Sequence, residues 1–304
     1  MKILALIVTF NRKEELFRCI QSIKSQHLPP DDILVVNNNS TDGTEKLLIS
    51  NKINFITQYN NGSATGWYTG INYAIKNEYD YIWLMDDDGY PDFQALQILI
   101  NSFSYNKKAV CISSAVVDEI NSNTFIFPYP KLDKNNNPQI FSFKRKYKNT
   151  KEINNLTVNH LYPYAQLFNG ALISIKAINK IGNINKDYFI FGEEVDYYYR
   201  LKEIGNIFTN FKALHYHPNV SNRKYTLTKI YYYVKNSIIN NNKYFNYVPL
   251  RNLFVVLIVL VRSFNRNGFL YFLSLIIGNK SYFFYLSIFR GIKGRLGKDF
   301  NEKI

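Results

Sequence analysis

The 304-residue chain is poor in the residues that build staples and metal cages: two cysteines, Cys19 and Cys111, and four histidines. Two thiols exclude a disulfide scaffold and a cysteine-built metal centre, and they fit a reducing compartment. Four scattered histidines exclude a histidine-rich centre. The N-terminal apolar stretch ILALIV is short and runs into charge (NRKEE) rather than a small-residue cleavage site, so no secretory signal is expected and the protein is placed in the cytoplasm. No uninterrupted apolar run approaches the ~20 residues that a membrane-crossing helix needs. Acid is scarce as well: 23 Asp and Glu face 37 Lys and Arg, a formal charge of +14. Such an excess brings two partners into view, nucleic acid and an anionic membrane surface. Aromatic residues are what the chain has in plenty. Its 25 Tyr, 23 Phe and 2 Trp sit within a hydrophobic content of 46%, which excludes intrinsic disorder and allows a sizeable core.

From residue 1 to about 120, short β-branched runs alternate with stretches of helical spacing. That alternation predicts an α/β fold with a mainly parallel sheet flanked by helices. The expected strands are Ile3 to Val8, Ile33 to Val36, Ile53 to Ile56, Tyr81 to Met85 and Val110 to Val117. The expected helices are Lys13 to Gln26, Thr44 to Ile49, Thr69 to Lys76 and Phe93 to Phe103. Residues 121–160, with Pro128, Pro130, Pro138 and a basic cluster from Lys144 to Lys148, read as an insertion or lid with one hairpin. Strand signals return at Ala171 to Ile175 and Phe211 to His217, around a helix that Gly205 closes, so a catalytic domain is expected over 1–225. Residues 226–304 form a separate basic, aromatic helical region. It carries twelve Lys and Arg against Asp299 and Glu302, a net of +10. Its apolar runs, Leu253 to Val261, Phe269 to Ile277 and Tyr282 to Phe289, are each eight or nine residues long and flanked by Arg and Lys. None reaches a spanning length, and the pattern suits helices lying in the interface of an anionic membrane. An ordinary helical subdomain is the alternative.

In open α/β sheets ligands gather at the carboxyl ends of the strands. Asp86, Asp87 and Asp88 directly follow one such strand. Three adjacent carboxylates repel one another unless a cation lies among them, and Mg²⁺ or Mn²⁺ takes oxygen ligands while keeping positions open for phosphate. Residues i and i+2 point the same way, so Asp86 and Asp88 can share one ion. An acidic turn that caps the helix near Asp92 is the plainer alternative. Polar clusters follow the other strands too: Thr9-Phe10-Asn11-Arg12, then NNNSTDGT from Asn37 to Thr44, then YNNGSATGWYTG from Tyr59 to Gly70. Each alone is an ordinary turn, with Asp42 or Ser40 capping the helix from Thr44. Together they line four strand ends, where Gly62, Gly66 and Gly70 would let backbone pass close to a ligand and Arg12 could meet a phosphate. In FGEEVDYYYR, Glu193, Glu194 and Asp196 crowd a predicted first helical turn, where the helix dipole alone favours acids. A single one of them would suffice as a base for an acceptor hydroxyl, a role that contributes about 10²- to 10⁴-fold. His215 and His217 lie in a strand, where a lone histidine is most often structural.

VTFNR, VVNNNSTDGT, NNGSATGWYTGINYA, YIWLMDDDGYP, FNGALIS, FGEEVDYYYRL and HYHPNVS occur in an order and spacing that resembles family 2 glycosyltransferases of the GT-A fold. Within that family they are similar to the rhamnosyltransferase-like and galactofuranosyltransferase-like group. The resemblance covers residues 1 to about 221 and extends more weakly through YYYVKNSI and FRGIKGRLGK. It implies a donor pocket lined by Thr9, Phe10, Asn11 and Arg12, with Asn37, Asn39 and Asp42 on the base or ribose side and Asn60, Gly66 and Trp67 on the far side. Asn37 stands where the family usually has Asp, and Thr65 replaces a usual Gly. Asp86 and Asp88 would hold the metal, completed by His217, with Asp87 nearer the ribose or sugar. Glu194 would be the base, where the family more often has Asp. Glu193, Asp196, Asn169 and Gly170 would bind the acceptor.

The function implied is an inverting, metal-dependent transfer of a sugar from a uridine- or thymidine-diphosphate donor. The acceptor would be a hydroxyl of a saccharide or lipid-linked oligosaccharide in bacterial surface polysaccharide synthesis, such as lipopolysaccharide or capsule. The enzyme would be peripheral on the inner face of the cytoplasmic membrane, with no nucleic-acid partner. Two alternatives remain at this point. A sugar nucleotidyltransferase would carry a glycine-rich loop after the first strand, where this chain has TFNRKEE. A nucleic-acid-binding protein would leave both acid clusters unexplained.

Overall fold

All seven residues of Ile3–Thr9 are buried, which suits a strand covered on both faces at the middle of a sheet. In chain order the elements from this strand are β1 (Ile3–Thr9), α1 (Lys13–Lys24), β2 (Asp32–Asn37), α2 (Thr44–Ser50), β3 (Asn54–Thr57), α3 (Ser63–Lys76), β4 (Tyr81–Asp86), β5 (Tyr90–Pro91), α4 (Ala95–Tyr105) and β6 (Ala109–Asp118). They continue as β7 (Thr124–Pro130), β8 (Lys146–Asn149), β9 (Leu161–Tyr162), β10 (Asn169–Ser174), α5 (Ile175–Ile181), α6 (Glu193–Ile204), β11 (Asn206–His217), α7 (Leu227–Tyr244), α8 (Val248–Asn267), α9 (Phe269–Ile276) and α10 (Ser281–Ile292). This computed structural model describes residues 1–142, 144–220 and 223–300; Ser221 of the HYHPNVS motif lies outside them.

The sheet runs β3-β2-β1-β4-β10-β6-β11-β5, with β7 and β9 added on β6 and β11. β3, β2, β1 and β4 are parallel neighbours, and β6 and β11 are parallel to each other. Antiparallel β10 sits between β4 and β6, and the short β5, β7 and β9 also pair antiparallel, so the central strands are mostly parallel with reversed strands at β10 and the margin. Cys19, Leu16 and Ile20 of α1 and Leu96 and Leu99 of α4 pack with Ala5, Ile7, Trp83 and Leu172 in the main core. The insertion forms the expected hairpin of β7 and β8, and it is anchored rather than free. Phe125, Tyr129 and Ile153 are buried with Ala115, Val117, Tyr162 and Phe211.

The described chain groups into two units. The first holds the sheet. The second takes Asn61–Thr65, Asn185–Asp196 and the chain from Val220 on, so the acid-rich start of α6 groups with the C-terminal helices rather than with the expected 1–225 domain. Within this second unit, Ile230, Val234 and Ile238 of α7 recur every four residues. They pack on Val259, Leu275 and Phe284 from α8, α9 and α10. α8 is 20 residues, about 30 Å, because Arg262 and Arg266 lie within the helix instead of ending it. By length and composition it is one helix long and apolar enough to cross a membrane, which corrects the expectation that no run reaches that length. α9 and α10 pass the same test only as a pair bent by 57°.

Candidate functional site

Strand register gathers the polar ends of the sheet: Thr9 lies opposite Asn37, Asn37 opposite Thr57, and Val8 opposite Asp86. Asp87, buried behind them, accepts from Thr9 Oγ1 at 2.8 Å, from the Phe10 N–H at 3.4 Å and from Arg12 at 2.8 Å. The same guanidinium nitrogen stands 2.7 Å from Asp88 Oδ2, while Asp88 Oδ1 faces His217 Nε2 at 3.2 Å. His217 Nδ1 is 2.7 Å from the Pro218 carbonyl, which can only accept, so Nδ1 carries the proton. With Nδ1 so engaged, Nε2 donates to the Asp88 carboxylate when the ring is protonated and presents a lone pair when it is neutral. Asp86 Oδ2 is met by Asn169 Nδ2 at 3.5 Å.

Charge is not balanced in this cluster. Burial, then Asp88 and Asp87, push the Asp86 carboxyl up to about 8. Burial also raises Asp87, although Arg12 pulls the other way. For His217 burial alone would lower the pKa, but the hydrogen bond and field of Asp88 outweigh it and raise the imidazole above its ordinary value. The cluster draws positive charge to itself wherever it can. His215 does the opposite: buried on β11, it is driven down to about 3 by burial and by His217, and its ring backs onto Gly89, where a Cβ would lie 2.3 Å from Nε2.

The other expected donor residues fall into two kinds. Asn11, at φ 52°, joins the loops by accepting from Thr41 N–H at 2.7 Å, and its own N–H reaches Ser40 at 2.9 Å. Asp42 caps two helices at once, accepting from Thr44 N–H at 3.1 Å and from Lys13 N–H at 2.9 Å. Asn37 is enclosed, accepting from Ser40 N–H and donating to Thr57. Asn39 is exposed with φ 59°, Phe10 is exposed just after β1, and Asn60 is half-buried after β3. Trp67 is fully buried and stacked on Phe168 at 4.4 Å, so it supports the wall from behind. Gly66 and Gly70 are not ligand-approach positions: a Cβ would meet Val8 at 2.6 Å and Leu6 at 2.3 Å, so they let α3 lie close on β1. For the same reason GSATGWYTG, expected as loop, is mostly helix from Ser63. Gly170, at φ +85°, lies against Ser114 and His215.

In the second unit the three acids of α6 have separate partners. Glu193, 2% exposed, accepts from Ser63 Oγ at 2.7 Å. Asp196, 1% exposed, takes Lys243 Nζ at 2.7 Å and the Tyr244 hydroxyl at 2.6 Å through one oxygen. Glu194 is less enclosed, and its Oε2 accepts from the Gly192 N–H at 2.9 Å. Burial raises its pKa above the ordinary glutamate value, against those backbone hydrogen bonds.

Residues 5–169 match the model of glycosyl transferase family 2, more than half of the chain. The chain belongs to that family. The galactofuranosyltransferase GlfT1 of Mycolicibacterium smegmatis is 26% identical over 219 residues, 70% of each chain. Among solved structures, TarS of S. aureus in complex with UDP-GlcNAc superposes with a TM-score of 0.56 at 14% identity, covering 97% of this chain and 81% of that one. The mannosyltransferase PcManGT of Pyrobaculum calidifontis, with GDP-Man and Mn²⁺, gives 0.56 at 12% identity, covering 96% and 84%. Both structures share the GT-A fold expected here. Family membership sets aside the sugar nucleotidyltransferase alternative.

GT-A neighbours of this family 2 glycosyltransferase carry Mn²⁺, so the cluster was tested against a divalent ion. Among the described residues no three His, Cys, Asp or Glu side chains already close around one point. The donor chemistry fits nonetheless. Asp86 and Asp88 supply hard oxygens, and His217 supplies a lone pair in the tautomer that a backbone carbonyl fixes, as metal-bound histidines commonly show. The pKa of Asp86 marks the positive charge still wanted there. Residues that the motifs did not flag, Asn236 and Asn240 of α7, hold the loop before α6 by hydrogen bonds from their side chains. Their four-residue spacing in NSIIN, one turn after Tyr232, was the available signal.

Proposed function

We propose that this family 2 enzyme is a metal-dependent, inverting glycosyltransferase that moves a sugar from a nucleoside diphosphate to an acceptor hydroxyl. The observation that carries this reading is the under-neutralised cluster of Asp86, Asp87 and Asp88 with Arg12 and His217 at the strand ends. Asp86, Asp88 and His217 would hold Mg²⁺ or Mn²⁺, which when bound offsets the charge of the diphosphate. Arg12, pinned by Asp87 and Asp88 and partly exposed, offers its remaining face to phosphate oxygens. Thr9 fixes Asp87 beside it. Glu194 takes the proton of the acceptor hydroxyl as that oxygen bonds the anomeric carbon; the carbon–oxygen bond to the diphosphate breaks and its electron pair leaves with the phosphate. One displacement inverts the configuration, with no carboxylate nucleophile. Of the three acids at α6, Glu194 is the one left for this role, since Glu193 and Asp196 are enclosed with Ser63, Lys243 and Tyr244.

The likeness to a galactofuranosyltransferase and to a UDP-sugar enzyme supports a uridine-linked donor and a polysaccharide acceptor. A cytoplasmic enzyme docked on anionic membrane is the matching location. Leu253, Leu257, Val261 and Phe264 form an exposed stripe on α8, flanked by Arg251, Arg262 and Arg266. Val259 and Ser263 of the same helix are buried in the helical core, which favours an interfacial helix over a free span. A screen of nucleotide-sugar donors with Mn²⁺ or Mg²⁺, read as release of nucleoside diphosphate, tests the reaction. Turnover of no donor overturns it. Co-flotation with vesicles rich in anionic lipid but not with zwitterionic ones tests the docking.

A further inference from the structure

The start of α6 is approached by residues 188–192, a loop with a strained backbone. Phe189 and Phe191 have φ 68° and 61°; Phe189, with ψ −73° and the Ile190 N–H on the Tyr188 carbonyl at 2.9 Å, sits at the centre of a γ-turn that is rare and strained for a residue with a side chain. Such strain persists only where the surroundings over-determine it. Here the surroundings are α7. Asn236 Nδ2 lies 3.0 Å from Tyr188 O, 2.9 Å from Ile190 O and 2.8 Å from Phe191 O. One turn later Asn240 Nδ2 donates to Gly192 O at 2.8 Å, and its Oδ1 accepts from the Tyr188 hydroxyl at 2.5 Å. One turn earlier the Tyr232 ring packs against Phe189, the centroids 4.8 Å apart and the planes tilted by 50°. Both asparagines are buried. From the other side the Phe189 carbonyl accepts from Ala64 N–H at 3.2 Å, and Gly62 has no room for a side chain, since a Cβ would lie 2.1 Å from that oxygen. The last link is Gly192: its carbonyl is held by Asn240, and its N–H is the group that holds Glu194 Oε2.

We infer that Asn236 and Asn240 are positioning residues for the reaction, holding loop 188–192 in the strained shape that aims the Gly192 N–H and sets the carboxylate of Glu194. The inference rests on Glu194 being the base. α7 therefore has two faces with different tasks. The stripe of Ile230, Val234 and Ile238 builds the helical core, and the stripe of Tyr232, Asn236 and Asn240 shapes the base loop.

The test uses the full chain with the donor and acceptor returned by the donor screen. Asn240→Asp keeps the acceptor for Tyr188 and turns the group facing Gly192 O from donor to acceptor; Asn236→Asp does the same to its three carbonyls. Each is expected to lower kcat about 10-fold or more, to leave donor KM within about 2-fold, and to move the acidic limb of the kcat–pH profile upward. In a Glu194→Gln background the same changes should cost less than about 2-fold, because the group they position is gone. Val259→Ala, in the helical core, should lower the melting temperature and leave kcat intact when assayed well below it. If an Asn→Asp variant does not melt cooperatively, Asn240→Ala, which deletes the contact without opposing it, carries the same readouts. Parent kcat and pH profile in the asparagine variants, or a loss fully additive with Glu194→Gln, overturns the inference while the base stands. Full activity of Glu194→Gln alone removes the base, and the inference with it.

Discussion

Two acid clusters, one in each unit, solve the problem of crowded carboxylates in opposite ways. Asp86, Asp87 and Asp88 share one guanidinium and one imidazole, and the charge left over shows in the Asp86 carboxyl, pushed up to about 8. Glu193, Glu194 and Asp196 each have their own partner, a hydroxyl, a backbone N–H and a Lys–Tyr pair. A shared and insufficient neutralisation is what a cation-binding site needs, because the ion completes it. Separate neutralisation instead distinguishes the acids, with Glu193 and Asp196 enclosed and Glu194, the proposed base, more open. Carboxylates in two dense motifs thus meet different surroundings through their partners.

The sharpest way to break this contrast is Asp88→Ala. It should reduce sugar transfer to background and abolish Mn²⁺-dependent binding of the nucleoside diphosphate by calorimetry, and excess chelator should do the same to the parent. Retained metal-dependent binding would mean that the first cluster is already satisfied. Next in size, Glu194→Gln should lower kcat by about 10²- to 10⁴-fold with donor binding unchanged. The same variant sharpens the stability side. A carboxyl whose pKa is raised in the fold binds its proton more tightly there than in the unfolded chain. Its contribution is present below the ordinary glutamate value and lost as pH rises through the raised one. The glutamine variant lacks that loss, so it should melt higher than the parent above this window and gain nothing below it; equal melting at all pH values would show that Glu194 is not held at a cost. The smallest effect is expected at Asp196→Asn, which removes the charge facing Lys243 but keeps an acceptor for Tyr244. A stability loss of about 1–2 kcal/mol by denaturant melts is expected, with kcat little changed well below the transition. A collapse of kcat without loss of stability would return Asp196 to the reacting groups.

Much of the first unit could be read from the sequence because its signals are local. The fully buried β1 and the buried centre of β4 announce themselves as β-branched and aromatic runs, and the acid cluster starts at the last residue of β4, so strand and cluster were legible together. The segment before α3 was misleading for a physical reason. Two glycines four residues apart look like a ligand loop, but here they remove side chains where a helix touches Val8 and Leu6. The second unit was far less legible. Asn236 bonds residues 45 to 48 positions away, and the four-residue spacing of Asn236 and Asn240 marks a shared helix face without naming the carbonyls it meets. The recruitment of Asn61–Thr65 and Asn185–Asp196 to the C-terminal helices follows from those contacts and not from composition. α8 was cut short in the reading because arginines look like boundaries, whereas Arg262 and Arg266 lie within the helix, half-buried over the rings of Tyr233 and Tyr225.

The loop before Glu194, the proposed base, is finished late. Lys235, buried on α7, is bonded to the Gly297 carbonyl at 2.8 Å and to the Asp299 carboxylate, which also holds Arg290. The Gly297 N–H reaches back to the Asp187 carbonyl at 2.6 Å, and the Asp299 N–H to the Tyr232 hydroxyl at 2.8 Å. During synthesis the sheet unit is complete by residue 219, while loop 188–192 waits for α7 and then for residues 297–299 before its brace exists. On the proposed mechanism, the donor-binding residues of the nascent chain would be in place before the base loop is braced. A premature stop between α10 and Gly297 would leave a protein that captures donor and transfers little.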